Sequence, residues 1–309
     1  MGVRTAVALF TYNRPWHTRQ VLDGLRRNQI EELHVFQDGL RQGDPAQPHR
    51  QVGGLIENIN FCRTSVARRP ENLGLARSII SGVTGLLQSH QAIVVLEDDC
   101  VPSSVFLAYM REMLERLREN PRVFSISGYG LPEFPADYPY DVCFAPLSSS
   151  WGWATWADRW RKFDPEARGW EEVLRDRASR RAFEAPGSIF SRLLEMQMAG
   201  KIDSWGIRWY FSLFKNRGVC AWPKHSYIQN IGLDGSGVHR DRTDAFHVPL
   251  CDEFAGARLR LPPDLEFDPR IQAVFRRRWD APPRWRTVSR ILEPATWARL
   301  GSRVWRKMK

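Results

Sequence analysis

The strongest constraint on the fold is a regular alternation of strand and helix patterns over residues 1–102. The strand patterns are TAVALFTY, LHVFQD, CRTSVA and AIVVL. The stretches between them carry apolar residues at helical spacing, as in NLGLARSIISGVTGLLQ, and Pro15 suits the first turn of the first helix. Continuous apolar strands that alternate with helices are typical of a parallel sheet covered by helices on both faces. The sequence therefore predicts an α/β fold with a mostly parallel sheet.

The pattern changes after Ser103. Further predicted elements are a helix from Val105 to about Arg118, a strand at RVFSISGY, helices within 171–200 and at IDSWGIRWYFSLFKNRG, and an extended segment at VCAWPKHSYIQNIG. Beyond Phe254 the chain is rich in Pro and Arg and loses clear periodicity. We therefore divide the chain into residues 1–102, residues 103–253 and a basic C-terminal extension, residues 254–309.

The positive charge of the chain is concentrated at its end. Residues 281–309 contain eight Lys or Arg and one acidic residue, so they carry +7 of the formal net charge of +10. This basic tail also contains Trp, Leu and Ile, which is typical of a segment attracted to an anionic membrane surface. A solvated tail that packs on the domain is the alternative. The rest of the chain is nearly neutral.

The cysteines and the start of the chain indicate a compartment. The five cysteines are scattered and form no CxxC pair, which favours reduced thiols in the cytoplasm over disulfides or a zinc site. The opening MGVRTAVALFTY is too short for a signal peptide, and no stretch approaches the roughly 20 apolar residues of a membrane span. We expect a cytoplasmic protein, with the tail allowing peripheral attachment to the inner face of the membrane.

Polar side chains follow three of the predicted strands at the point where each strand ends. Tyr12, Asn13 and Arg14 follow the first strand, Asp38 ends the second, and the acidic triplet 97–99 ends the fourth. In open α/β sheets, ligands bind beyond the carboxyl ends of the strands. The sequence therefore predicts a binding site at this edge of the sheet.

The acidic triplet, Glu97, Asp98 and Asp99, has three explanations. A helix cap at Asp99 or Ser103 accounts for one carboxylate and leaves the others unexplained. A dinucleotide-binding fold requires a glycine-rich turn after the first strand, where this chain has FTYNRP. A divalent cation with an anionic ligand explains all three, because hard cations prefer carboxylate and phosphate oxygens. We favour this third explanation, with Mn²⁺ or Mg²⁺ as the cation.

The combination of TYNRP, FQD, ENLGLARSI and LEDDCVP resembles inverting nucleotide-sugar glycosyltransferases of the GT-A fold. The resemblance is to glycosyltransferase family 2 and to the N-acetylglucosaminyltransferase I family, which has the same acidic triplet after its fourth strand. Weaker similarity continues through SSSWGWATW, DSW and NIGLDGSGVH, to about residue 240. The resemblance implies a Rossmann-like GT-A domain. Residues 1–102 would bind the nucleotide sugar, and residues 103–253 would form the acceptor-binding and catalytic part of the same domain.

The same resemblance implies roles at the nucleotide. Tyr12, Arg14 and Asp38 would surround the base and the phosphates, and Asp38 would accept a hydrogen bond from the imide N–H of uracil, which favours UDP. Asp98 would face the ribose. Arg77, one turn inside the helix after ENLG, would reach the diphosphate, with a solvated surface arginine as the alternative.

Roles at the sugar and the metal also follow from the resemblance. Asp99 would ligate the cation and Glu97 would lie near the donor sugar. His239, after the flexible GSG of DGSGVH, would be a further metal ligand, with a structural histidine as the alternative.

Asp203 in KIDSWGIRW is the predicted general base. In the resembling families an aspartate before an aromatic residue at a helix start removes the proton of the acceptor hydroxyl, and a single displacement then inverts the anomeric carbon. Asp203 or Ser204 would also suit the N-cap of the helix that follows. Asp234 and Asp241 are the rival acids.

The tryptophans divide into two groups. Trp153, Trp156 and Trp160 share one helical face, which indicates core packing. Trp151 and Trp205 are predicted to form an apolar platform for the acceptor sugar.

The expected function is therefore a metal-dependent inverting glycosyltransferase that moves a hexosyl or N-acetylhexosaminyl group from a nucleoside diphosphate donor to a hydroxyl of a glycan or lipid-linked glycan. A sugar-phosphate nucleotidyltransferase uses a similar sheet but normally carries a glycine-rich basic loop after the first strand, for which TYNRP is a poor substitute. A nucleic-acid-binding protein would use the tail and the aromatics. The chain lacks a recognisable module for that role, so we expect no nucleic-acid partner.

Overall fold

The computed structural model describes residues 2–131, 133–236 and 243–280. Its strands are β1 (Thr5–Thr11), β2 (Glu32–Gln37), β3 (Arg63–Arg68), β4 (Ala92–Glu97), β5 (Cys100–Pro102), β6 (Val123–Ser127), β7 (Val142–Ala145), β8 (Trp153–Trp156), β9 (Val219–Pro223) and β10 (Ile228–Asn230). Its helices are α1 (Pro15–Arg26), α2 (Ala46–Glu57), α3 (Leu75–Leu86), α4 (Phe106–Arg116), α5 (Ala157–Trp160), α6 (Trp170–Arg175), α7 (Arg177–Phe183), α8 (Ile189–Met198), α9 (Trp205–Lys215) and α10 (Pro269–Trp279).

The strands form one large sheet and one small one. The large sheet has the order β3-β2-β1-β4-β8-β6-β9-β7, and β10 pairs with β5 in the small sheet. The pairs β1·β2, β1·β4, β2·β3 and β6·β9 are parallel, whereas β8 runs antiparallel to β4 and β6, and β7 runs antiparallel to β9. This topology confirms the predicted α/β fold with a mostly parallel sheet flanked by helices.

Both faces are buried in the centre of the large sheet, which explains why β1 and β4 read as continuous apolar runs, whereas the edge strand β3 is largely exposed. In β1, Ala6, Ala8 and Phe10 lie in the core on one face, and Val7 and Leu9 lie in the core on the other. Side chains alternate between the faces of a strand, so an apolar residue is needed at every position when helices cover both. The helix α1 begins at Pro15, as predicted, because proline suits the first helical turn.

The tryptophan segment differs from the prediction. Trp153 to Trp156 form strand β8, and only Ala157 to Trp160 are helical. Trp153 therefore packs on one face of the sheet and Trp156 on the other, although both are core residues as predicted. The shared helical face was wrong because a short apolar run does not distinguish a period of 2 from one of 3.6.

Helix α10 lies in a segment where the sequence shows no clear periodicity. Asp268 caps it by accepting a hydrogen bond from the Arg270 amide. Ile271, Val274 and Phe275 are buried on its inner face. The pattern is short and its other positions are rich in arginine, so the apolar face was not recognised. Residues 254–280 thus contribute to the same core as the sheet.

Two further sequence predictions meet the structure here. All five cysteines are free thiols. No helix in the described part of the chain combines the length and the apolar character that crossing a bilayer requires. The basic tail, residues 281–309, and its predicted membrane contact lie outside the described residues.

Candidate functional site

The carboxyl ends of β1 and β4 meet, as the strand pattern predicted. The two strands are parallel neighbours, so the residues that follow them emerge at the same edge of the sheet. The Tyr12 amide donates to Oδ2 of Asp98 over 3.3 Å, and Nη1 of Arg14 donates to Oδ2 of Asp99 over 3.0 Å. The predicted acidic triplet and the predicted TYNRP loop therefore form one cluster.

Arg14 forms ion pairs with two carboxylates of the triplet, Asp98 and Asp99. Its Nη1 also lies 3.7 Å from Oδ1 of Asp98, and its side chain is only 15% exposed. Burial alone would lower the pKa of Arg14, but the charges of Asp99 and Asp98 more than offset this and raise it. One guanidinium faces three carboxylates, however, so the triplet still lacks positive charge.

The lack of positive charge is reflected in the pKa values of Asp98 and Glu97, which are both raised. Burial raises the pKa of Asp98 to about 7, and Asp99 adds to this, whereas Arg14 and the Tyr12 amide lower it. Burial, followed by the charges of Asp99 and Asp98, raises the pKa of Glu97 well above its usual value. Two negative groups in one buried place disfavour ionisation of each other. A bound cation would relieve both.

A segment after β10 covers the triplet, and we call residues 230–236 the cover segment. The β5·β10 pairing brings Asn230 beside Cys100, and the Asn230 amide donates to Oδ1 of Asp99 over 3.4 Å. The Ile231 amide donates to the Asp99 carbonyl over 2.9 Å. A Cβ on Gly232 would lie 2.0 Å from Oδ2 of Asp99, so only glycine fits this close approach. This contact has no signal in the motif NIGLDGSGVH itself.

The cover segment is anchored to α1 through a histidine that the sequence analysis missed. Nε2 of His17, which is 5% exposed, lies 3.1 Å from Oδ2 of Asp234. The Ser236 hydroxyl also donates to Asp234. Burial, together with the charge of Arg14, lowers the pKa of His17, which keeps the ring neutral at pH 7. Asp234, a rival for the role of base, is therefore a partner of His17 in this structure.

The predicted role of Asp38 needs correction. Its Oδ1 accepts hydrogen bonds from the amides of Gly39 and Leu73, and its Oδ2 accepts from the Asn72 side chain and the Gly74 amide, all over 2.9–3.0 Å. A carboxylate offers about four acceptor positions, and these are all used. Asp38 thus fastens the loop 71–74, and its carboxylate has no acceptor position left for a uracil imide. The preference for UDP loses its basis.

Tyr12 fastens a second loop at the same edge. Its hydroxyl donates to Oδ2 of Asp44 over 2.7 Å and accepts from the Arg41 amide over 2.9 Å. Burial, with a contribution from Asp44, raises the pKa of Tyr12 to about 12. The phenol is therefore neutral and occupied, and a contact with a nucleotide would involve its ring.

Asp203 lies at the same edge of the sheet as Asp38, although the two residues are far apart in the sequence. A Cβ on Gly74 would lie 3.7 Å from Oδ2 of Asp203, and Gly74 is the residue whose amide holds Asp38. Oδ1 of Asp203 accepts a hydrogen bond from Arg208 over 3.1 Å, and 56% of the Asp203 side chain is exposed. The helix cap is Ser204, whose hydroxyl accepts from the Ile207 amide. The Asp203 carboxylate is therefore not used as the cap.

Trp205 connects α9 to the triplet. The Trp205 side chain, whose one donor is the indole N–H, faces the Glu97 carboxylate and offsets part of the rise in its pKa. Trp205 is 2% exposed and stacks on Trp153 with ring centroids 4.9 Å apart. The predicted acceptor platform is thus wrong for Trp205, because the ring is buried in the core. Trp151 is half-buried and makes edge contacts with aromatic neighbours.

The remaining predicted site residues are less constrained. Arg77 is exposed in the first turn of α3 and makes no hydrogen bond or ion pair with the residues that the structure describes. His239, the predicted further metal ligand, and Asp241 lie outside the described residues.

The triplet suits a divalent cation that a substrate helps to hold. Within residues 2–131, 133–236 and 243–280, no three His, Cys, Asp or Glu side chains are gathered as a ready-made metal site. Mg²⁺ is commonly bound by one or two carboxylates together with substrate phosphates and water, and not by an all-protein cage. Asp99 is the predicted carboxylate of this kind, and the partial compensation of Asp98 and Asp99 by Arg14 leaves room for further positive charge.

Comparisons with known proteins give fold likeness alone. No family model matches the chain, and no curated protein matches it. Among solved structures, a mannosyltransferase, PcManGT, from Pyrobaculum calidifontis in complex with GDP-Man and Mn²⁺ is 13% identical, with a TM-score of 0.40 over 70% of each chain.

Two other solved structures are similar at the same level. A cytidylyltransferase from Leptospira borgpetersenii serovar Hardjo-bovis is 12% identical, with a TM-score of 0.33 over 52% of this chain and 64% of that one. A mannose-1-phosphate geranyltransferase from Thermus thermophilus is 13% identical, with a TM-score of 0.30 over 72% of this chain and 69% of that one. At these identities and TM-scores the three similarities carry no argument about this chain.

Proposed function

We propose that this protein is an inverting glycosyltransferase that moves a sugar from a nucleoside diphosphate to a hydroxyl of a glycan or lipid-linked glycan. One observation carries the proposal. The acidic triplet at the end of β4 and the carboxylate of Asp203 lie at the same edge of the sheet. Trp205 of α9 contacts Glu97. Gly74 donates its amide to Asp38 and lies next to Asp203. Sugar transfer needs a cationic place for a leaving diphosphate and a base for the acceptor.

The donor side of the site consists of the triplet and the TYNRP loop. A Mn²⁺ or Mg²⁺ ion, held by Asp99 and in our proposal also by His239, would neutralise the charge that develops on the leaving diphosphate. Arg14 lies beside Asp99 and would bind the phosphates, and Arg77 would approach them from α3. Asp98 would face the ribose and Glu97 the donor sugar.

The acceptor side of the site consists of the residues before α9. Asp203 would remove the proton of the attacking hydroxyl through Oδ2, the oxygen that faces Gly74, while Arg208 holds Oδ1. Because one base acts in one displacement, the product would have the inverted anomeric configuration. Because the role of Asp38 is corrected, UDP is only one of several nucleoside diphosphates to be tested as the donor nucleotide. The basic tail remains our proposal for attachment to a membrane that carries the acceptor.

A product analysis tests this proposal. The purified protein is incubated with Mn²⁺, an acceptor glycan pool and each of a panel of UDP-, GDP- and dTDP-sugars, and the products are separated by mass spectrometry. We expect release of a nucleoside diphosphate together with a glycan extended by one sugar. A parallel incubation supplies nucleoside triphosphates and sugar 1-phosphates. Formation of a nucleotide sugar and pyrophosphate there, without glycan extension in the first incubation, would show a nucleotidyltransferase and overturn the proposal.

A further inference from the structure

Arg14 occupies the side of Asp99 that a metal ion would need. Its Nη1 donates to Oδ2 of Asp99 over 3.0 Å. The other oxygen, Oδ1, already accepts from Asn230 over 3.4 Å and from the Cys100 thiol over 3.5 Å. Both carboxylate oxygens of Asp99, the predicted metal ligand, therefore already accept hydrogen bonds from other residues of the chain. A cation that binds Asp99 through Oδ2 has to replace the guanidinium.

Arg14 has two hydrogen-bond donors without partners. Its Nε and Nη2 are buried and make no hydrogen bond to the residues that the structure describes. Nη2 lies 2.9 Å from the place that a Cβ on Gly232 would take, so it is enclosed by the cover segment. Buried donors without partners are rare in folded proteins, and each calls for an explanation. A planar guanidinium with free donors matches the oxygens of a phosphate.

These two observations point to an exchange of partners. We propose that Arg14 is an exchangeable counter-cation, which neutralises Asp99 in the empty site and transfers to the diphosphate when a divalent cation takes its place at Asp99. This inference rests on the proposed function, because it assumes that a nucleoside diphosphate and a divalent cation are the ligands. It adds that neither ligand binds well alone, because each one depends on Arg14 changing partner.

The exchange makes the two ligands depend on each other. The cation meets competition from Arg14 when no diphosphate is present, and the diphosphate meets an arginine already paired with Asp99 when no cation is present. Binding of either ligand therefore raises the affinity for the other, and this coupling is reciprocal. Metal affinity in the absence of nucleotide is the quantity that isolates Arg14.

The decisive experiment titrates Mn²⁺ into the full-length protein and follows free Mn²⁺ by electron paramagnetic resonance. Arg14→Gln removes the competing charge, so we expect it to bind Mn²⁺ alone at least about tenfold more tightly than the wild type. The same variant is expected to bind UDP, GDP and dTDP at least about tenfold more weakly in saturating Mn²⁺. Arg19→Ala is the matched control, because Arg19 is exposed on α1, which begins directly after Arg14, and has no partner in the described chain.

A second variant covers the case in which Arg14→Gln fails to fold. Asp99→Asn releases Arg14 from the other side of the pair, so we expect metal-free binding of the nucleoside diphosphate to tighten and its response to Mn²⁺ to disappear. Unchanged or weaker Mn²⁺ binding in Arg14→Gln, or weaker metal-free nucleotide binding in Asp99→Asn, would overturn the exchange while leaving the proposed function intact. Absence of any nucleoside diphosphate binding in the wild type, with or without Mn²⁺, would overturn the proposed function itself.

Discussion

The indole of Trp205 faces the Glu97 carboxylate and offsets part of the rise in the pKa of that group, which places the first turn of α9 beside the end of β4. This contact keeps the predicted base near the acidic triplet, because Asp203 lies two residues before Trp205. We expect Trp205→Phe to lower the free energy of unfolding by about 1–3 kcal/mol more than Trp209→Phe does. Trp209 is equally buried, but its indole nitrogen has no partner in the described chain, so it is the matched control. Urea denaturation measures both, and equal losses would show that the contact has no energetic role.

Asp203→Asn tests the predicted base. An amide cannot accept the proton of the acceptor hydroxyl, so transfer should fall by about 10²–10⁴-fold while nucleoside diphosphate binding stays near that of the wild type. Asp137→Asn is a suitable control, because Asp137, like Asp203, is an exposed aspartate paired with an arginine, here Arg270. Turnover at the wild-type rate in Asp203→Asn would assign the base to another residue.

Arg208 is predicted to position Asp203. Its Nε donates to the Ser204 carbonyl, its Nη1 donates to the Pro165 carbonyl, and its Nη2 donates to Asp203, so the guanidinium is held on three sides. Arg208→Gln should reduce kcat by about ten- to a hundredfold with little change in KM for the donor, because the base is misaligned and the donor site is not. Arg208→Lys should recover part of the loss. A change in donor KM alone would contradict this role.

Gly232→Ala tests the close contact between the cover segment and Asp99. The added Cβ would lie 2.0 Å from Oδ2 of Asp99 and 2.9 Å from Nη2 of Arg14, so both side chains must move. We expect Mn²⁺-dependent nucleotide binding to weaken at least about tenfold, as measured by isothermal titration calorimetry. Gly54→Ala has open space around the new methyl group and should bind as the wild type does.

The raised pKa of Asp98 predicts the pH dependence of stability without metal. Burial raises it from an ordinary value near 4 to about 7, so the folded protein binds more protons than the unfolded chain between these two values. Stability therefore falls as the pH rises from 4 to 7 and changes no further above 7 on account of this group. Asp98→Asn should remove this pH dependence, which amounts to a few kcal/mol, on the order of 1.4 kcal/mol per pH unit, in the free energy of unfolding between pH 4 and pH 7. Denaturation midpoints of both proteins at pH 5 and pH 8 provide the test, and identical slopes would contradict the assignment.

The fold and the place of the site follow from local patterns. The apolar runs of β1 and β4 indicate a sheet buried on both faces, and parallel strands deliver the residues after them to one edge. For that reason the convergence of Arg14 with Asp98 and Asp99 was predictable from the sequence. The position of Asp203 beside Gly74 is consistent with the base suggested by the family resemblance, although the chemical role stays a prediction.

The contacts that revise the site come from pairings across long stretches of chain. Asp38 accepts a hydrogen bond from the amide of Leu73, 35 residues later in the sequence, and Asp99 accepts one from the side chain of Asn230, 131 residues later. Neither contact has a signal in the spacing of nearby residues. The pairing of His17 with Asp234 was hidden for the same reason. A carboxylate at a strand end is therefore visible in the sequence, whereas the number of its acceptor positions that the fold uses is not.

The proposals above all require that the acidic edge of the sheet binds a nucleoside diphosphate together with a divalent cation. Calorimetric titration of UDP, GDP and dTDP into the full-length protein, with and without Mn²⁺, tests it most directly. We expect saturable binding of at least one of these nucleotides that is strengthened by Mn²⁺ and loses this strengthening in Asp99→Asn. Binding of none of them under either condition would rule out a nucleotide site at this edge.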